Sequence, residues 1–188
     1  LMMLLFTLKD RKVSRCTLFD IAHMKENRTE FGFHRTVSGT AKDVDCCKHM
    51  PSYLVPSDLE RLSSRLGCNP LELAKEHLLA SPGSLIIERG VPRRVPSLVL
   101  ARNPDTGHCK FLKNGLCSIH ESAPYGCAFF DYAMPKAEGN ERSLAGINAL
   151  LDEWDKDDSS DYVLLWKILK MSNKCAAGPE VCRVALDE

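Results

Sequence analysis

Three cysteines, Cys109, Cys117 and Cys127, fall within nineteen positions, and none of them forms a Cys-x-x-Cys pair. The stretch is broken by turn formers, "NPDTG" at 103–107 and "KNG" at 113–115, so it folds as short strands and tight loops. Such loops aim several side chains inward while glycine relieves the backbone. A second group, "DVDCCKHM", supplies Cys46 and Cys47. A disulfide between neighbours closes a strained ring. In an extended segment their side chains point to opposite faces. In a loop both face one site, or one ligates while the other packs. A single buried cysteine is an ordinary core residue; five in two polar, turn-rich segments ask for more. Three thiolates from 109–127 and one from 46–47 make the four sulfur ligands that zinc or an iron–sulfur cluster takes. All-sulfur ligation disfavours magnesium and calcium, which take oxygen. The expectation is one centre closed by two separate loops.

"CKFLKNGLCSIHESAPYGC" resembles the YkgJ-like cysteine-cluster family, described as zinc- or iron-chelating proteins. That pattern reads Cys-Pro-x-Leu, a Gly, Cys-x-Ile-Tyr/His and Arg-Pro-x-x-Cys. Its elements fall here on Cys109, Leu112, Gly115, Cys117, Ile119, His120, Pro124 and Cys127. The other half of the family pattern, Cys-x-x-Cys-x-x-Cys-Cys followed by an Asp-centred helix, is matched at its end by Cys46-Cys47 and "SDLERLSSRLG". The resemblance spans residues 40 to 130. Thr40 and Asp43 stand where its first two cysteines belong, Lys110 replaces a proline, and Ala123 and Ala128 replace arginines. The resemblance implies a metal site on Cys46, Cys47, Cys109, Cys117 and Cys127, holding an iron–sulfur cluster or iron, with zinc as the alternative. Asp43 or Asp45 as an added carboxylate ligand would favour a harder ion. Some relatives resemble methyl-transfer enzymes acting on protein lysines. The chain shows no cofactor motif for such chemistry, no phosphate-cradling Gly loop and no Gly-x-Ser-x-Gly elbow, so no reaction is assigned.

The remaining cysteines read as packing or tail residues: Cys16, Cys68 between two helices, and Cys175 and Cys182 near the end. Six histidines show no i, i+4 pair; His49 and His108 neighbour the cysteine motifs and are candidates for ligation or support. Nine cysteines, an odd count, fit metal binding better than a pure disulfide framework. With no export signal at the visible start, the chain reads as cytoplasmic. Formal net charge is zero, which gives no attraction for nucleic acid, and no apolar run is long enough for a membrane span. The expected partner is a protein or a small molecule. Six acids against one lysine in "LDEWDKDDSSD" and the basic "ERGVPRR" read as solvated surface.

Hydrophobic residues at 44% and 188 positions suit one globular domain. "SDLERLSSRLG" predicts a helix capped by Ser57 with Glu60 as a capping box, an apolar stripe of Leu59, Leu62 and Leu66, and a stop at Gly67. "NPLELAKEHLLASPG" predicts a second helix, capped by Asn69 with Pro70 first and ended by Ser81-Pro82-Gly83. "SLIIE" and "SLVLAR" predict strands about a turn near Arg89-Gly90. "SLAGINALLDEW" sets Leu144, Ile147, Leu151 and Trp154 on one helix face, and "DYVLLWKILKM" continues the helical part. Residues 1–40 predict a strand or two and loops. The expected fold is a small mixed α+β single domain over 1–188, with a metal-binding core at 40–130 and a helical part at 141–172.

Overall fold

The computed structural model describes residues 31–33, 47–48, 52–88, 90–130, 134–156, 159–176 and 183–185. The chain divides into two compact units, Leu1–Arg35 and Thr36–Glu188, and every element named below lies in the second. The reading of residues 1–40 falls outside the described residues except at 31–33.

The architecture is α+β, as the sequence predicts. Its centre is a long hairpin of β2 (Leu78–Glu88) and β3 (Val91–Leu100), with β1 (Tyr53–Leu54) before it in the chain. Helices α1 (Asp58–Leu66) and α2 (Pro70–His77) lie between β1 and β2. After the hairpin come the two-residue strands β4 (Leu112–Lys113) and β5 (Leu116–Cys117), then a four-residue helix α3 (Tyr125–Ala128). Two long helices follow, α4 (Lys136–Trp154) and α5 (Asp161–Met171), and then a short strand β6 (Arg183–Ala185). The sheet order is β1-β3-β2-β6, with β6 parallel to β2 and the other pairs antiparallel.

Both early helices form where the sequence predicts, and each differs in one detail. Gly67 ends α1 in the left-handed conformation (φ 67°), and Cys68 N–H donates back to Ser63 O at 3.1 Å. The capping box at Ser57 does not form. Ser57 is already helical (φ −63°, ψ −19°) and its side chain makes no cap bond. A reciprocal arrangement sits two residues earlier, where Val55 N–H donates to the Asp58 carboxylate at 2.9 Å and Asp58 N–H donates to Val55 O at 3.0 Å. In α2, Asn69 caps with Glu72 as a full capping box. This helix ends at His77 rather than at Ser81-Pro82-Gly83. Leu78 and the residues after it find partners across β3, and pairing wins over local helix propensity.

Ser81-Pro82-Gly83 therefore marks an irregularity inside β2, where the register with β3 shifts between Ser81 and Ser84. Gly83 has φ +71°, and a Cβ there would lie 1.7 Å from Val95 O. Two indoles brace this region: Trp166 Nε1 donates to Ser81 O and Trp154 Nε1 to Pro96 O, each at 2.8 Å. The two rings meet edge to face at 5.4 Å. Tyr162 adds a third brace from α5, donating to Leu54 O and accepting from Leu98 N–H, both at 2.7 Å. The outer edge of β3 offers few donors to another strand, since Pro92 and Pro96 have no N–H and that of Leu98 is taken. Ile147, Leu150, Leu165 and Leu169 close the core from α4 and α5. Leu151 and Trp154 pack against its margin.

Gly83→Ala should cost clearly more stability than Gly90→Ala. Both glycines have positive φ, which costs an L-residue about 1–2 kcal/mol, but Gly90 has open space around it while Gly83 also meets the β3 backbone. Urea unfolding of the two variants, compared at equal m-value, measures the difference; equal losses would count against the close approach at Gly83.

Candidate metal centre

The cysteine segment is built as the turn signals predict. Asn103 Oδ1 accepts from Asp105 and Thr106 N–H groups, and Gly107 takes φ 69° to bring the chain back. Asn114 (φ 52°) and Gly115 (φ 76°) form the tight connection between β4 and β5. This pairing sets Cys117 opposite Leu112. Cys109 bridges Arg102, and Lys110 Nζ donates to Glu76 O at 2.6 Å, tying the segment to the carbonyl end of α2.

The two cysteine groups meet at one point. Cys109 N–H donates to Cys47 O at 2.6 Å, and both residues are buried, 9% and 8% exposed, in one hydrophobic cluster. Cys117 packs against that cluster half-buried. Cys127 lies on α3, half-buried, with its N–H on Pro124 O at 2.8 Å. Cys46 lies outside the described residues, as do Cys16, Cys182, His49, Asp43 and Asp45. Among the described residues, no three His, Cys, Asp or Glu side chains are grouped so as to hold a metal ion. The donor chemistry suits zinc or an iron–sulfur cluster, and one pair of cysteine residues is joined through the backbone. The described donors alone do not complete a coordination set.

Cys68 sits between α1 and α2, as expected of a packing residue. Burial, with Glu72 and Glu76 beside it, pushes its thiol up, so it stays protonated. Cys175 is an exposed free thiol bridged to Ala80 by the backbone. His108 is a loop residue whose backbone closes the 103–108 turn.

What the residue-by-residue reading passes over is Asp58. It is fully buried (0% exposed) beneath α3. Its Oδ2 accepts from Val55 N–H and from Tyr125 N–H at 2.8 Å, while the Arg61 guanidinium pairs with Oδ1 and also donates to Ala123 O at 3.2 Å. An acid in the first turn of a helix reads as a surface residue suited to the helix dipole. The one available signal is the Asp-centred helix of the family pattern.

No family model, curated protein or solved structure matches this chain. Among the described residues no helix is long and apolar enough to cross a membrane.

His77 lies tilted against Phe111 with ring centroids 5.1 Å apart, and its carbonyl accepts from Ala101 N–H at 2.7 Å, so it buttresses the segment beside Cys109. Burial, then the positive charges of Lys110 and Lys113, hold its pKa below the ordinary 6.5, with Glu76 opposing. The unfolded chain therefore takes up the proton first as pH falls. The stabilising contribution is present above 6.5 and lost as pH drops through the folded pKa. Unfolding midpoints should fall as pH drops below 6.5, and His77→Gln should flatten that fall. An unchanged slope in the variant would assign the pH dependence to other groups.

Proposed function

We propose that this chain is a metal-binding protein holding an iron–sulfur cluster or iron through thiolates drawn from Cys46, Cys47, Cys109, Cys117 and Cys127, with no reaction assigned to it. The observation that carries the reading is the Cys109 N–H bond to Cys47 O. It closes the chain across two helices and the whole hairpin, and brings together the two segments that the sequence marks as ligand-bearing. Thiolate ligation requires reduced cysteines, so the reading places the protein in the cytoplasm. Its partner is then a protein or small molecule rather than nucleic acid or a membrane.

A second reading is a structural zinc module serving as an interaction domain. The burial of Cys47 and Cys109 favours it, because structural zinc sites are closed. Metal would then contribute folding energy and no chemistry.

Metal analysis of anaerobically purified protein, with its visible spectrum, separates the two. A brown protein carrying iron supports the first reading, and a colourless one with about one zinc per chain supports the second. Cys109→Ser, Cys117→Ser and Cys127→Ser should each lower bound metal by about half or more and reduce stability, because metal binding is coupled to folding. Cys175→Ser should leave metal content unchanged. Full metal retention in any two of the first three variants would remove the ligand assignment.

A further inference from the structure

We propose that Asp58 and Arg61 are positioning residues that hold the Cys127 limb of the cysteine segment in place. The purpose rests on the reading of Cys127 as a ligand; the geometry does not. Helix α3 has four residues, too few to fix its own direction in water. Its position comes from what grips it. The Asp58 carboxylate takes the Tyr125 N–H and the Arg61 guanidinium takes the Ala123 carbonyl, so one turn of α1 holds the backbone on both sides of Pro124. Pro124 in turn accepts the Cys127 and Ala128 N–H groups at 2.8 Å. From the buried carboxylate to Cys127 the path is therefore two hydrogen bonds and a fixed proline.

Two further contacts leave the limb no room to slide. Tyr125 O–H donates to Arg142 O at 2.7 Å, which ties the limb to α4. Gly126 lies so close to β1 that a Cβ would fall 2.8 Å from Ser52 Oγ and 2.9 Å from Tyr53 N. The chemistry also calls for a charged acceptor. Asp58 Oδ2 faces two backbone donors while Oδ1 faces a cation. A carboxylate satisfies all three, whereas an amide must turn its NH2 toward one of them.

The test uses the full-length chain and reads thiols one at a time. Metal-free wild type, Asp58→Asn, Arg61→Ala and Arg61→Lys are alkylated with iodoacetamide under native conditions, and each cysteine is followed by peptide mass spectrometry. Tyr162→Phe is the control, because it loses buried hydrogen bonds elsewhere in the core. Asp58→Asn and Arg61→Ala should speed modification of Cys127 about tenfold or more relative to Cys109, through local opening of the limb. In the control the two thiols should keep their wild-type ratio. Arg61→Lys, which keeps a cation facing Asp58, should lie nearer wild type than Arg61→Ala. If Cys127 and Cys109 accelerate in step, the pair supports the fold generally and the proposal is overturned. Should Asp58→Asn fail to fold, Arg61→Ala decides, since both backbone bonds to Asp58 remain in it. If the wild-type chain binds iron or zinc, Asp58→Asn should weaken that metal by about 10–100-fold, as removal of a group that orients a ligand does; unchanged affinity overturns the proposal. If wild type binds neither metal, the ligand reading fails, and the alkylation ratio still decides whether this pair positions the limb.

Discussion

A carboxylate sealed from water is the constraint on which this structure turns. Asp58 gives up its hydration to sit between α1, the chain entering it and α3, and several kcal/mol of desolvation must be offset by what it binds. The offset comes from two backbone N–H groups and a guanidinium. Those partners come from before and after the hairpin in the chain. The same group that starts α1 therefore decides where the chain lies sixty-seven residues later. Breaking such a pair from one side leaves an uncompensated charge, which makes the arrangement closer to all-or-none than a contact of apolar side chains.

Around this point the hairpin serves as the frame. Its two strands pair along nearly their whole length, and β3 carries β1 on its outer side. Polar tips of otherwise apolar rings attach the helices to it: Tyr162, Trp154 and Trp166 each place a ring in or beside the core and a donor on a strand carbonyl. Helices α4 and α5 are thus fixed in register against the sheet as well as packed on it. Directional bonds of this kind add specificity that hydrophobic burial alone lacks.

Local grammar made most of the elements legible. Asn69 and Pro70, Gly67, Asn114-Gly115 and the strand runs on each side of Gly90 act within a few residues of themselves, and the structure follows them. The misreadings share one cause. Ser81-Pro82-Gly83 has the composition of a helix stop, yet only the proximity of Val95 explains why glycine stands there. Ser57 has the look of a cap, yet the bonding moved to Asp58, whose partner Tyr125 is remote in sequence. For the candidate centre, the sequence singled out two cysteine-bearing segments, and the hydrogen bond from Cys109 N–H to Cys47 O makes them neighbours. How the thiols are disposed is a matter of long-range geometry, and the described donors do not group in threes.

The long reach of the Asp58 bond bears on how the chain is made. A ribosome delivers α1 well before Tyr125, so for that interval the acid has no distant N–H to turn toward and favours solvent over the interior. Regions up to the hairpin can gather early through local contacts, whereas sealing of the carboxylate must wait for α3 to emerge. Loop closure over such a span is slow relative to hairpin or helix formation. Sealing of this carboxylate is accordingly gated by the arrival of a four-residue helix, made after both strands of the hairpin.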